Sequence, residues 1–300
     1  MSYKFSLVIA LAPERKIEVL DSLKEMDYDP KKYEVIVEVG KNPSENRNRG
    51  IQKAKGEIIA FIDDDARVNK DLLKNAEEFF NQHPEIDVVG GPQLTPKDDS
   101  FFAKATGCAL SSFFGTYTMS NRYRLGELSL NADETSLTSA NFFVRRKVFK
   151  KIGGFNPLLF PGEDPELITR MKQNGIKVAY SPSIIIYHRR RSDYTSFCKQ
   201  FFKYGKVRVL KEKINKKKIG LVFLTPSLFT LYLILVVPLT VIHKIFLLPL
   251  AIYFIIALIF SIAISLRKNI LYLPLLPFIF LSIHASYGLG MLYSMLKPKK

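Results

Sequence analysis

The 300-residue chain contains no tryptophan and only two cysteines, Cys108 and Cys198. Two cysteines do not build a disulfide scaffold, and so sparing a use of the residue suits a reducing compartment. No strand-like run is followed by G-x-G-x-x-G or G-x-x-x-x-G-K-[ST], so the usual dinucleotide and P-loop readings have no support. Acidic residues are also nearly missing from one region. Residues 194–300 carry 15 Lys and Arg against the single acid Glu212, whereas residues 1–193 balance 29 basic with 27 acidic side chains. Of the formal net charge of +16, +14 therefore belongs to residues 194–300. A basic patch of the kind that recognises nucleic acid is not a property of the rest, and no nucleic-acid partner is expected.

The same C-terminal third has long stretches without any charge. Residues 219–242, 245–266 and 270–296 are uncharged runs of 24, 22 and 27 residues, and a bilayer core of about 30 Å needs roughly 20. The third run holds Pro274, Pro277 and His284, so a kinked or re-entrant path stays open beside a full crossing, giving two to three membrane helices. Lys206, Arg208, Lys211, Lys213 and Lys216–Lys218 precede the first run, and Arg267 and Lys268 separate the second from the third, as the positive-inside rule asks. Lys297, Lys299 and Lys300 would fall outside after three crossings. Met1–Lys4 leads straight into Phe5–Ala10 without a leader, so the expectation is a multi-pass cell-membrane protein with a cytoplasmic N-terminal domain. Between the two regions, Tyr194–Leu210 interleaves Phe197, Phe201, Phe202, Tyr204, Val207 and Leu210 with Lys199, Lys203, Lys206 and Arg208. That pattern reads as a basic amphipathic helix lying on membrane lipids, with plain core packing as the alternative. The expected division is a domain over 1–193, an interface helix and linker over 194–218, and a membrane region over 219–300.

The first hundred residues alternate strand and helix patterns. Phe5–Leu11, Glu34–Val39, Ile58–Ile62 and Ile86–Gly90 read as strands; Glu14–Met26, Ser44–Lys55 and Asp71–Gln82 read as helices. This alternation predicts an α/β fold with a doubly wound, mostly parallel sheet. Further on, Phe101–Phe114 has helical spacing, Leu137–Val144 reads as a strand, and Arg145–Ile152 as a short helix stopped by Gly153-Gly154. A helix with Pro165 in its first turn then follows Glu163-Asp164, and strands are expected at Ile176–Tyr180 and Ile184–Tyr187.

Three aspartates, Asp63-Asp64-Asp65, close the third strand. In open α/β sheets the C-terminal strand edge is where ligands bind. Adjacent carboxylates repel one another unless a cation neutralises them. Oxygen ligands of this kind suit Mg2+ or Mn2+, which are usually shared with substrate phosphates. The plainer reading is a solvated acidic turn.

Four pieces in order change that weighing: Asn48-Arg49-Gly50 ahead of Ala54-Lys55-Gly56-Glu57, the strand-terminal Asp63-Asp64-Asp65, Gly153-Gly154-Phe155, and Glu163-Asp164-Pro165-Glu166-Leu167. Over roughly residues 3–210 the chain resembles family 2 glycosyltransferases of the GT-A fold. The resemblance implies transfer of a sugar from a nucleotide diphosphate donor, usually with inversion and with a divalent metal. It implies that Asp63 and Asp65 face the metal and the sugar, with Asp64 beside the donor. His188 matches a position that can complete the metal site, although a lone histidine is as often an ordinary polar contact. Asp164 is the implied catalytic base, with Glu163 second. As residues alone, Glu163 and Asp164 could simply complement a helix macrodipole.

The nucleotide pocket departs from the family pattern. Where relatives carry Pro-x-Tyr-Asn and Asp-Asp-Gly-Ser, this chain reads Ala12-Pro13-Glu14-Arg15 and Glu38-Val39-Gly40-Lys41. Pro13, Glu14 and Glu38 are the candidates for base contact, Arg47 or Arg49 for phosphate, and Asn141 for the donor sugar. Uridine, guanosine and thymidine donors all remain open. The expected partners are thus a nucleotide-sugar donor and a lipid-linked or glycan acceptor. Two rival readings are a processive polysaccharide synthase, disfavoured because the Gln-x-x-Arg-Trp motif needs a tryptophan, and a non-catalytic membrane scaffold that binds nucleotide sugar.

Overall fold

The computed structural model describes residues 3–297. It falls into two compact units, residues 1–96 with 121–189, and residues 97–120 with 190–300. Residues 97–120 join the second unit, whereas the sequence division into 1–193, 194–218 and 219–300 keeps them in the first.

The first unit is built on a six-stranded sheet in the order β2-β1-β3-β7-β5-β8. Its strands are β1 (Phe5–Leu11), β2 (Tyr33–Val39), β3 (Ile58–Ile62), β5 (Val88–Gly90), β7 (Asn141–Arg145) and β8 (Val178–Tyr180). All neighbours pair in parallel except β7, which runs antiparallel to both β3 and β5. A second sheet of β4 (Ala66–Val68), β9 (Ile186–His188) and β6 (Gln93–Leu94) stands at the end of β3. The helices of this unit are α1 (Val19–Lys24), α2 (Pro43–Lys53), α3 (Leu72–Gln82), α6 (Lys147–Ile152) and α7 (Glu163–Gln173).

Strand alternation decides which face each residue serves. Leu7, Ile9, Ile58, Ala60 and Ile62 pack with Val19, Leu23, Leu73 and Phe80 on one side. Val8, Ile59 and Phe61 pack with Phe149, Phe155, Leu167 and Met171 on the other. Continuing that alternation past β3 sends Asp63 toward α2 and α7, and Asp64 toward the loop after β1. Gly50 lets α2 lie close on β1, because a Cβ there would enter the space of the Val8 side chain.

Several expected elements shift at their edges, and three of these shifts have a visible cause. The helix expected over Glu14–Met26 begins only at Val19, because Glu14 adopts a left-handed φ of 71° and the Glu18 and Val19 amides both donate to the Asp64 carbonyl, at 2.8 and 3.0 Å. The strand expected from Leu137 starts at Asn141, since Ser139 N is drawn away to Asp164 Oδ2 at 3.2 Å. The helix expected over Phe101–Phe114 breaks into α4 (Phe101–Leu110) and α5 (Phe113–Thr116). There the Ser111 and Ser112 hydroxyls donate to the Cys108 and Ala109 carbonyls, competing with the helical ladder.

The second unit gathers α4 and α5 with α8 (Tyr194–Ile214), α9 (Leu221–Ile242), α10 (Leu248–Arg267) and α11 (Leu276–Leu296). Three of its helical stretches, Leu221–Ile242, Lys244–Arg267 and Leu276–Leu296, are long and apolar enough to cross a membrane. The third begins at Leu276, with Pro277 in the first turn where proline is tolerated. Lys299 and Lys300 lie outside the described residues. In α8 the face carrying Phe197, Phe201 and Gly205 is buried, while Lys199, Lys203, Lys206 and Lys213 are exposed. Much of that buried face is taken by α11. A Cβ at Gly205 would run into the Tyr287 carbonyl, and one at Gly290 into the Phe202 carbonyl. Backbone cannot yield as a side-chain tip can, so Gly290→Val is expected to destabilise the second unit by about 1–3 kcal/mol. The check is a lowered melting temperature of the full chain in detergent, with Gly220→Ala, where no backbone lies near, as the control.

Candidate active site

The acid triplet is organised by charges from three other elements. The register pairs Ala66 with His188, which places the imidazole beside the residue that follows Asp65. His188 Nε2 lies 3.4 Å from Asp63 Oδ2 and 3.2 Å from Asp65 Oδ1. Its Nδ1 is 3.0 Å from the Arg189 carbonyl, so Nδ1 carries a proton and Nε2 turns to the carboxylates. Burial of the ring would lower its pKa, but the bonds to Asp63 and Asp65 carry it up to about 9. As a cation it offsets part of the charge on the two acids. Although burial opposes ionisation, His188 and Arg15 hold Asp65 well below the usual carboxylate range, and His188 and Arg47 lower Asp63.

Asp64 is in a different position. It is almost wholly buried and feels the charge of Asp65, and these push its pKa up to about 6 against the pull of Arg15. Arg15 spans the two carboxylates. Its Nη2 donates to Asp65 Oδ2 at 2.8 Å, and its Nε sits 3.1 Å from Asp64 Oδ2 without the alignment of a hydrogen bond.

On the opposite face of β3, Arg47 of α2 joins the triplet to the acids of α7. Nη2 donates to Asp63 Oδ1 at 3.0 Å and Nη1 to Glu163 Oε1 at 2.8 Å, and the guanidinium lies over the Phe155 ring. Arg47 and Glu163 are both buried. Glu163 Oε2 also accepts from Gly162 N at 2.9 Å. Burial raises Glu163 to about 6 despite the nearby guanidinium. Asp164, at the second residue of α7, accepts from Ser139 N. Burial raises its pKa, and the charge of Arg122 and the Ser139 amide only partly offset this. A raised carboxyl pKa in a cleft is what proton acceptance near neutrality requires. Helix α7 itself is held by Arg170, which pairs with Glu166 and donates to the Ile152 and Gly154 carbonyls.

The remaining sequence candidates are placed elsewhere. Pro13 and Glu14 lie exposed in the loop after β1. Glu38, buried at the end of β2, pairs with Lys53 at 2.5 Å and Arg49 at 3.0 Å, and these cations hold its pKa low despite burial. Arg49 also donates to the Val39 carbonyl and to Asn46 Oδ1. Asn141 is fully buried, its amide donating to the Pro92 and Ile184 carbonyls, a place that ties the two sheets together. Arg15 and Arg122 were not singled out from the sequence. No local pattern marks them, because their partners lie 50 and 12–13 residues away.

Asp63, Asp65 and His188 each offer a ligand atom, all within 4.8 Å of one another. Neighbouring ligands of an octahedral ion sit roughly 3 Å apart when bonds are about 2.1 Å. The observed spacings of 3.2 and 3.4 Å and the oxygen and imidazole donors therefore fit a divalent cation such as Mg2+ or Mn2+.

Fold and site together define an α/β enzyme class whose acidic strand edge faces a buried Glu163 and a half-buried Asp164. Residues 58–292 match the sequence profile of Glycosyl transferase family group 2, and the chain belongs to that family. It is similar to the Staphylococcus aureus poly(ribitol-phosphate) beta-N-acetylglucosaminyltransferase TarS, at 28% identity over 27% of this chain and 19% of TarS. It is also similar to the glucosyl-dolichyl phosphate glucuronosyltransferase of Haloferax volcanii, at 24% identity over 51% of this chain and 50% of that protein. The chain thus spans at most half the length of these two relatives. Among solved structures, the mannosyltransferase PcManGT from Pyrobaculum calidifontis, in complex with GDP-Man and Mn2+, superposes with a TM-score of 0.59 at 15% identity, covering 99% of this chain and 88% of PcManGT. TarS 1-349 gives 0.51 at 17% identity, covering 99% and 93%. These likenesses show that the fold is GT-A.

Proposed function

We propose that the chain is a membrane-anchored, divalent-metal-dependent, inverting glycosyltransferase that moves a sugar from a nucleotide diphosphate to a lipid-linked acceptor. The observation that carries this reading is the continuous charge chain His188–Asp63–Arg47–Glu163, with the half-buried Asp164 next to Glu163, which couples a cation-binding edge to a candidate base. Bound at Asp63, Asp65 and His188, Mg2+ or Mn2+ would stabilise the negative charge of the departing nucleoside diphosphate. Arg47 orients Asp63 and Glu163 at once. It engages Glu163, which leaves Asp164 as the group that accepts the proton of an incoming hydroxyl. Ser139 N fixes the Asp164 carboxylate in place. The complexes of PcManGT with GDP-Man and of TarS with UDP-GlcNAc support a nucleotide-sugar donor here.

The three apolar helices support a membrane anchor, and the lysines ahead of α9 favour a cytoplasmic first unit. A protein anchored in this way meets acceptors that are themselves in the bilayer. The stereochemical part is tested by NMR of the product formed from a donor of known anomeric configuration. An inverted anomeric centre is expected, and retention would overturn the assignment of Asp164 as a base acting opposite the leaving group.

A further inference from the structure

The six-stranded sheet ends on one side at β8, and residues 126–132 cover that strand. Ser129 N donates to the Tyr180 carbonyl at 3.0 Å, Tyr180 N donates back to the Ser129 carbonyl at 2.8 Å, and Ala132 N donates to the Val178 carbonyl at 2.8 Å. This segment is thus the outermost antiparallel edge of the sheet. Inward- and outward-facing backbone groups alternate along such an edge. With Ser129 turned to β8, the N–H and C=O groups of Leu128 and Leu130 are directed away from it, and among the described residues nothing bonds them. Their side chains are 51% and 43% exposed. Open edges are normally blunted by lysine or proline. Residues 125–132, Leu-Gly-Glu-Leu-Ser-Leu-Asn-Ala, contain neither. A single exposed leucine needs no explanation, but two on an open hydrogen-bonding edge mark a place where another strand is added.

Residue order and charge indicate a second copy of this chain. Glu127-Leu128-Ser129-Leu130-Asn131 is self-complementary about Ser129. Laid antiparallel across a two-fold axis there, Leu128 of one copy meets Leu130 of the other, and their open N–H and C=O groups bond reciprocally. Side chains directly opposite share a face, so the leucines of both copies gather beside the shallow cleft of about 400 Å3 that Leu130 lines with Ile86 and Ile176. The chain bends at Leu130 and Asn131, which ends the open stretch. At that bend Lys172 Nζ donates to Asn131 Oδ1 at 2.7 Å and to the Ala132 carbonyl at 2.8 Å, both neutral. Glu127 is exposed and, like Lys172, has no ion pair among the described residues. The axis carries Glu127 of each copy to the Asn131 end of the other, where that ammonium lies. Acid and cation, unmatched within one chain, are matched between two.

We propose that residues 127–131 pair antiparallel with the same residues of a second copy, making a two-fold dimer in which one sheet runs through both first units. The pairing goes beyond the transferase reading and does not depend on it. A contact this short lies at the small end of specific interfaces. Copies held in one bilayer by helices long and apolar enough to cross it meet at a raised effective concentration, which suits a contact of that size.

The register makes the test direct. Ser129 faces its own symmetry mate as a non-hydrogen-bonded pair, with Cα atoms about 4.5 Å apart, a separation a disulfide spans. Ser129→Cys in a Cys108→Ala/Cys198→Ala background is therefore expected to form a disulfide-linked dimer on mild oxidation of membranes carrying the full chain. Glu127→Cys in the same background, about 13 Å along the strand from its mate, is expected to cross-link roughly tenfold less. Adding Leu128→Lys/Leu130→Lys should abolish the Ser129→Cys cross-link and leave the melting temperature in detergent unchanged, because both side chains are already exposed. Adding Glu127→Lys should weaken the cross-link, and Glu127→Lys/Lys172→Glu should restore it. Equal cross-linking at Ser129→Cys and Glu127→Cys, none at Ser129→Cys, or a cross-link that survives Leu128→Lys/Leu130→Lys would overturn the dimer. Leu128→Trp gives a chain with one tryptophan. Its quenching by brominated phospholipid would assign this edge to the bilayer and overturn the proposal.

Discussion

Asp164→Asn is expected to reduce sugar transfer by about three orders of magnitude, within the 10²–10⁴-fold range that general-base catalysis supplies. The amide keeps the size and the contact with Ser139 N but cannot take a proton. Donor binding should persist, because the cation-binding residues Asp63, Asp65 and His188 are untouched. The pH profile separates loss of a base from loss of structure. Burial raises the Asp164 pKa and raises neighbouring Glu163 to about 6. The wild-type rate should therefore fall as pH drops, through an acid limb above the ordinary carboxylate range. The residual rate of Asp164→Asn should lack that limb. A variant that loses donor binding together with turnover would instead make Asp164 a structural residue.

Arg47→Met is expected to cost both fold and activity. Removing one partner of a buried ion pair leaves an uncompensated charge, a loss of about 3–5 kcal/mol. Here the orphan is Glu163, whose only described guanidinium partner is Arg47. Asp63 would lose the same cation and face Asp65 with His188 alone. A melting temperature of the full chain in detergent reads the stability, and nucleoside diphosphate release reads the activity. Arg47→Lys should fall between the two, because an ammonium cannot reach two carboxylates in the fork geometry of a guanidinium. Adding Glu163→Gln to Arg47→Met should restore part of the stability, since the amide needs no counter-charge, while transfer stays low. Full recovery of transfer in that double variant would show that Arg47 serves only to neutralise Glu163.

Residues joined by chain order were legible in the sequence; of those joined by tertiary approach, His188 is reached through the family resemblance and the arginine partners of the acids are not. Strands β1 and β3 announce themselves as short apolar runs and β2 as a Val- and Ile-rich run between Glu34 and Glu38, and Asp63–Asp65 lie at a strand end by simple adjacency. Glu163-Asp164 follow a turn ending at Gly162 and open a helix, as the pattern suggests. Arg47, by contrast, reads as a phosphate ligand when only its neighbours are visible. Its partners stand 16 and 116 residues away, at the end of β3 and the start of α7, and only the tertiary fold, with α2 laid on β1, brings them together. Asn141, expected beside the donor sugar, gives its amide to two backbone carbonyls, a tertiary contact the pattern does not encode, while its buried Oδ1 accepts no hydrogen bond from the described residues. The short α1 has a similar cause, because its first amides are spent on the Asp64 carbonyl, a contact no helical periodicity encodes. The role of Asn48 in bracketing Phe155 also explains Gly154, where a Cβ would collide with the asparagine side chain.

The measurement that bears most directly on the proposed chemistry is nucleoside diphosphate release from a panel of nucleotide sugars. Membranes carrying the full chain are supplied with Mn2+ or Mg2+ and a lipid extract, with Asp65→Ala as the comparison. Release from one donor that requires the cation and disappears in Asp65→Ala is the expected result. Undiminished release by Asp65→Ala, or none from any donor that measurably binds, would contradict the assignment of Asp63, Asp65 and His188 as the centre of a metal-dependent sugar transferase.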